Sequence, residues 1–370
     1  MSVNEVPATN KNRIHWIDNL RTITILLVVL YHIGGVYEAG GIWGWFWIVD
    51  DPDTITWVGF VGIIFDVMVM PIMFFVSGYL TPAPLKNKTG WEFIKGKAKR
   101  LLLPWLIAVL TLIPIYKFIF LYSRNLPQEH WSTYFHITNS QNWLWFLPVL
   151  FAFNMLYILL KKLDIKLPKI SFKAAVTGTF IIGFVYSFLI GGIFGFRSWT
   201  LTPLIDFENE RLLLYFMVFL LGVLAFKQNI FAEIPQKKTL YNVANAVAWI
   251  PVTLYIFARV WPFFFPEGFE ITPLYRLIWH FSFYLSLLCL LYIMVVSFWL
   301  YLDKTGKIWE ELNKNSYGVY IIHVIMVGIF GTLLLNVDIP ALVKYPLLIL
   351  STYLGSNLLV SGYRSLRSRV

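Results

Sequence analysis

Ten apolar stretches set what this chain can become. Their approximate bounds are 22–37, 58–80, 101–122, 143–160, 174–194, 211–226, 241–260, 276–301, 317–335 and 345–363. A helix needs about 20 mostly apolar residues to cross roughly 30 Å of hydrocarbon. Within lipid an open strand would leave its backbone groups unpaired, so each stretch is expected to be a spanning helix. The connections are short and leave no room for a soluble domain. The expected fold is therefore an all-α integral membrane protein of about ten transmembrane helices, one domain over residues 1–370 with short tails at 1–15 and 364–370. Composition agrees: 58% of residues are hydrophobic and 14% are charged, where a soluble domain carries about 25% charged residues. The only cysteine, Cys289, excludes a disulfide-stapled scaffold. No small-residue cleavage site follows the first stretch, so it reads as a retained anchor.

The net charge of +10 does not point to nucleic acid, because the cations come in bursts between apolar runs. Of the 30 Lys and Arg, only Lys117, Arg124, Arg197, Arg211, Arg259, Arg276 and Lys344 fall on one side of a ten-span topology. All the others fall on the opposite side. The positive-inside rule then puts both termini in the cytoplasm. The expected surroundings are a lipid bilayer, with no nucleic-acid partner.

Ionisable side chains at membrane depth are candidates for function. In the first stretch Arg21 and His32 are eleven residues apart, three helical turns plus about 20°, so they share one face about 16 Å apart. That stripe suits a long anionic molecule entering from the cytoplasm; a snorkelling arginine and a hydrogen-bonded interior histidine are the plainer alternative. Lys97 and Arg100 share a helix face where a basic run enters the third stretch, suiting phosphates or simply marking topology. Ser77-Gly78 at the end of the second stretch suits close backbone approach; no adjacent acid or histidine supports Ser77 as a nucleophile. Tyr317, Tyr320 and His323 form a polar stripe expected to face the bundle interior. In the loop 38–57, Trp43, Trp45, Trp47 and Trp57 with Asp50, Asp51 and Asp53 suit sugar stacking or an interfacial aromatic belt. The acidic run Asp206–Glu210 reads as an acceptor-orienting patch or a solvated loop. The six histidines, His15, His32, His130, His136, His280 and His323, form no ligand set, so no metal is expected. No phosphate-binding GxxxxGK[ST] loop is present, so an ATP-driven pump has no support.

Five segments together resemble the acyltransferase-3 family of multi-spanning membrane proteins. They are Asp18-x-x-Arg21 with the Arg21–His32 spacing, Phe74-Phe75-Val76-Ser77-Gly78-Tyr79, and Lys97-x-x-Arg100 with Leu101 and Pro104. The others are Trp143-Leu144-Trp145-Phe146-Leu147 and Asn315-Ser316-Tyr317-Gly318-Val319-Tyr320-Ile321-Ile322-His323. They occur in the family's order over residues 16–323. Within the family the layout is loosely similar to the succinyltransferases of periplasmic glucans, without the appended soluble domain or the eleventh span of some relatives.

The resemblance implies transfer of an acyl group, usually acetyl with succinyl as the other candidate, from cytoplasmic acyl-CoA to a hydroxyl of an extracytoplasmic carbohydrate or glycan. Acyl-CoA is then a co-substrate, with no permanently bound cofactor. The expected location is a bacterial plasma membrane. Arg21, Lys97 and Arg100 would bind the CoA phosphates. His32 would be the catalytic base or a transient acyl carrier. Asp18, Ser77, Tyr79, Trp145, Tyr320 and His323 are the candidate lining residues. A secondary transporter or flippase for a glycan or anionic solute, using the same Arg and His, is the alternative from another class. A membrane-bound O-acyltransferase with a lipid or protein acceptor is a third reading.

Overall fold

The computed structural model describes residues 14–39, 48–130, 132–133, 141–163, 170–233, 237–267 and 269–368. Trp43, Trp45, Trp47 and His136 lie outside them. The described helices are α1 (His15–Gly34), α2 (Thr56–Leu80), α3 (Gly90–Ser123), α4 (Phe146–Lys162), α5 (Phe172–Ile193) and α6 (Leu212–Lys227). They continue with α7 (Thr239–Val247), α8 (Trp249–Phe264), α9 (Pro273–Tyr301), α10 (Lys307–Leu335) and α11 (Ala341–Arg367). Two short strands, β1 (Trp199–Thr200) and β2 (Phe207–Glu208), pair antiparallel between α5 and α6 with Trp199 opposite Glu208. Eight helical segments are long and apolar enough to cross a membrane, α7 and α8 together forming one of them. The shorter α6 and the more polar α11 match the remaining two apolar stretches.

Two boundaries differ from those expected, each for a local reason. The stretch 241–260 breaks at Ala248. Pro251 has no N–H to offer the carbonyl of Val247 four residues earlier, so the helix is interrupted at that point. Helix α1 starts at His15 rather than near residue 22, because its polar first turns find partners in the bundle. Asn19 donates from Nδ2 to the carbonyls of Leu302 (2.8 Å) and Lys304 (2.9 Å), and Asn313 donates to Asn19 Oδ1 at 2.9 Å. The start of α3 is fixed by a capping box in which Thr89 Oγ1 accepts from the Glu92 amide and the Glu92 carboxylate accepts from the Thr89 amide.

The bundle is turned outward. On α3, Leu103, Leu106, Ile107 and Leu110 are exposed, whereas Leu101, Trp105 and Ala108 are buried. An aqueous protein would hide the first set; in hydrocarbon they meet lipid and the polar groups turn inward. Helix α1 lies against α2, α9, α10 and α11, and α2 lies closely against α6. That last contact depends on two glycines: a Cβ on Gly78 would sit 2.0 Å from the Phe219 carbonyl oxygen, and one on Gly222 would sit 2.1 Å from that of Phe75. Small residues at such crossings let the backbones touch, which is the main source of packing energy between helices in lipid.

Candidate active site

Helices α1 and α10 run parallel, joined by polar rungs. Near their starts, Thr22 donates to Asn313 Oδ1 (2.5 Å), and Arg21 donates to the Asn313 carbonyl (3.1 Å) and Ser316 Oγ (3.2 Å). Asp18 pairs with the same guanidinium at 3.0 Å. The residue after Ser316, Tyr317, donates its hydroxyl to the Arg100 carbonyl at 2.7 Å. That bond draws the basic run of α3 to the foot of α10. Arg21, Lys97 and Arg100, separated by up to 79 positions in the chain, therefore belong to one end of the bundle. Lys97 Nζ lies 5.2 Å from the centre of the Phe93 ring, and Arg100 is exposed.

Higher on the same two helices His32 and His323 meet, with ring centroids 4.9 Å apart. His323 is fully buried. Its Nδ1 lies 2.7 Å from the Tyr320 carbonyl. A carbonyl oxygen only accepts, so this nitrogen carries the proton and His323 Nε2 is an acceptor. His32 Nδ1 lies 3.2 Å from that acceptor and 2.9 Å from the Val28 carbonyl. It too must be the protonated nitrogen, donating to both. The tautomer of His32 is thereby set with its basic lone pair on Nε2. A histidine whose Nδ1–H is held by an acceptor, with Nε2 as the base, can take a proton from a hydroxyl.

The other expected site residues divide between the two levels. Tyr320 is committed: its hydroxyl donates to the Trp143 carbonyl and its own carbonyl holds His323. Trp143 returns the contact, its indole N–H donating to the Ile321 carbonyl at 3.0 Å. The 3-10 turn Asn142–Trp145 is thus clamped onto α10 beside the histidines. Trp145 stands edge-on to Trp199 at 5.6 Å and stacks on Tyr215 at 6.0 Å. Tyr79 packs on Trp16 at 5.9 Å, sixteen residues or about 24 Å along α1 from His32. Ser77, whose carbonyl accepts from Thr81, sits at that same lower level of α2. The stripe Tyr317–Tyr320–His323 turns from surface to interior, with Tyr317 exposed and the other two buried.

A second polar cluster lies beyond the histidines. Asp66 on α2, unremarked in the sequence, takes the Arg211 guanidinium in a two-pronged pair at 3.0 and 2.9 Å, while Arg211 Nε meets Glu208 at 3.2 Å. An aspartate inside an apolar stretch was the available signal. The acidic run is not a solvated loop: Asp206 accepts from the amides of Gln141 (2.7 Å) and Thr202 (2.9 Å), and Asp206, Glu208 and Glu210 are all buried. Glu210 has an oxygen 4.0 Å from His280 Nε2. Burial pushes its carboxyl up from the ordinary value of 4.5 to about 7, and neighbouring Glu208 adds to the rise. In the first loop Asp51 pairs with Lys344 at 3.0 Å, both buried, and Asp53 accepts from the Ala341 amide at the start of α11. Both carboxylates thus help to hold the fold, Asp51 from a buried position and Asp53 from an exposed one. Among the described residues no group of three or more His, Cys, Asp and Glu is arranged to hold a metal ion.

A comparison with curated proteins finds no match. A family model described as an acyltransferase domain matches residues 14–360, which takes in the α1–α10 rungs, the basic run of α3 and the histidine pair. The protein is a multi-pass membrane acyltransferase, and its chain belongs to the acyltransferase-3 family.

Proposed function

We propose that this protein transfers an acyl group, acetyl or succinyl, from acyl-CoA to a hydroxyl of an extracytoplasmic carbohydrate or glycan. The observation that carries the reading is the line along α1 and α10: three cations at the foot and a histidine pair eleven residues above Arg21. That rise, about 16 Å, matches a donor with phosphates at one end and a thioester at the other. The foot carries the positive charge, so it faces the cytoplasm, as do both termini, in a bacterial plasma membrane.

Arg21, Lys97 and Arg100 bind the CoA phosphates at the foot, and the pantetheine arm lies along α1. His32 Nε2 takes the proton of the acceptor hydroxyl, whose oxygen attacks the thioester carbonyl. The tetrahedral adduct collapses as the C–S bond breaks, and the CoA sulfur leaves with the proton that His32 had taken. His323 and the Val28 carbonyl hold His32 in the tautomer this step requires. Attack by His32 Nε2 itself, giving an acyl-imidazole, uses the same geometry.

Purified protein given labelled acyl-CoA and glycan acceptors tests the reading. Wild type should label an acceptor, and His32→Ala should lose the transfer while still binding CoA. CoA binding should weaken in Arg21→Ala. Failure of the folded wild type to bind CoA would overturn the proposal in favour of a transporter using the same groups.

A further inference from the structure

Helix α3 is longer than a membrane crossing requires. Its 34 residues rise about 51 Å, against about 30 Å of hydrocarbon. The exposed apolar side chains on it run from Leu103 through Leu106, Leu110 and Phe118 to Tyr122. From the first to the last of these the rise is about 28 Å, so hydrocarbon is met between those two positions. The first turns, Gly90 to Arg100, therefore stand at the level of the lipid headgroups and beyond. Pro104 marks the boundary: it has no N–H for the Arg100 carbonyl, and that oxygen takes the Tyr317 hydroxyl from α10 instead.

At about 100° per residue the lysines of this segment divide between two faces. Lys97 lies in line with Phe93, Leu101 and Ala108, all buried, and its ammonium group stays over the Phe93 ring. Lys95 and Lys99 are on the opposite side. Both fall within about 20° of Leu106, eleven and seven residues further on, and both are exposed. The stripe that meets lipid in the body of α3 is thus continued outward by two lysines, one and two turns before Leu103. Among the described residues neither lysine has an ion-pair partner. Glu92, the acid on that face, accepts from the Thr89 amide and hydroxyl in the capping box. Trp91, one turn before Lys95, is 73% exposed. An indole held out in water is unfavourable, whereas at the membrane–water interface it is favoured.

We infer that Lys95 and Lys99 bind the headgroups of anionic phospholipids in the leaflet at the foot of the bundle. The lysine stems lie along the edge of the apolar stripe and their ammonium groups reach the phosphates. A basic cluster just outside a spanning helix attracts acidic lipid, each lysine contributing a factor of about five. The surface is separate from the cations assigned to the donor: Lys97 faces the bundle, and these two lysines face away from it. The inference rests on the membrane placement of α3 and not on the acyl-transfer reading.

The test uses purified full-length protein in detergent, titrated with dioleoylphosphatidylglycerol or with dioleoylphosphatidylcholine. Tm reports binding, and native mass spectrometry counts the lipids retained. The double variant Lys95→Gln, Lys99→Gln is compared with wild type and with Lys161→Gln, Lys162→Gln. The second pair removes two exposed lysines from the last turn of α4, whose Ile158 adjoins Gly90 at the same end of the bundle. Wild type should bind the phosphatidylglycerol in preference. The α3 variant should bind it about 25-fold more weakly, with phosphatidylcholine binding unchanged, and the α4 variant should behave as wild type. Equal binding of the two lipids by wild type, or equal weakening in both variants, overturns the assignment. So does a loss of CoA binding by the α3 variant without added lipid, which would move these lysines into the donor site. Should the α3 variant not fold, wild type alone decides. Its preference for the acidic lipid must vanish in about 0.5 M salt, where exposed charges are screened, and a preference that survives overturns the inference. Failure of wild type to bind CoA would remove the acyl-transfer reading and leave the lipid surface standing.

Discussion

At the scale of single residues, the two histidines are unequal partners. His32 offers its Nε2, whereas both nitrogens of His323 are occupied, Nδ1 by the Tyr320 carbonyl and Nε2 by His32. In the proposed reaction His323 is a positioning residue. His323→Ala should lower kcat by roughly 10–100-fold, the order seen when a supporting partner is lost, and leave the KM for acyl-CoA unchanged; His323→Gln, which restores an acceptor, should recover part of the rate. Asp66 is a different case. Its pairing with Arg211 bridges residues 145 positions apart, and removing one partner of a buried pair leaves the other charge exposed to a poor environment. Asp66→Asn should destabilise the protein by about 3 kcal/mol, read as a lowered Tm in detergent, with Glu208 retaining part of the arginine's compensation. Sequence inspection found His32 and His323 because histidines in apolar helices stand out. It passed over Asp66, whose importance depends on an arginine four helices later.

Helix by helix, the sequence located nearly every element and little of their pairing. Apolar length fixes where α2, α3, α9 and α10 run, because lipid accepts no other backbone there. Which helices touch is decided by small residues and polar rungs. The α2–α6 crossing is held by Gly78 and Gly222 with backbone against backbone. A methyl group at Gly78 has a main-chain oxygen in its way, which no rotamer change can relieve. Gly78→Ala should therefore separate the two helices, with a sharp fall in recovered monodisperse protein, whereas Gly96→Ala, with open space around it, should be silent. The Ser77-Gly78 pair hinted at such a contact but not at Phe219 as its partner. The 3-10 turn at Asn142–Trp145 is the converse: a Trp-rich segment whose bonds to α10 have no counterpart in local pattern.

For the molecule as a whole, the loop between β2 and α6 carries buried charge that couples folding to pH. Glu210 takes up its proton near pH 7 in the folded protein and near 4.5 in the unfolded chain. The folded state thus binds more protons between those values. The contribution of Glu210 to stability is fullest below about 4.5, falls as pH rises through that window, and levels off above about 7. The Tm of wild type relative to that of Glu210→Gln should fall from about pH 5 to about pH 8, because the difference between the two isolates the slope due to this carboxyl. A constant difference would mean that Glu210 is charged in the folded protein at neutral pH.

The sequence alone determined that this chain lies in a membrane as a set of apolar helices, that Arg21 and His32 share a helix face, and that Lys97 and Arg100 share another. Those properties follow from hydrocarbon thickness and the 3.6-residue turn, both of which act over a few consecutive residues. Tertiary structure decided the rest. It brought the α3 cations to the foot of α10 through Tyr317, and set the tautomer of His32 through His323. It also consumed Asp51, Asp53, Asp206 and Glu208 in holding the fold. Each of those outcomes joins groups on separate helices or loops. Whether a buried charge is part of the site or part of the scaffold depends on the partner it meets, and that partner is chosen by packing.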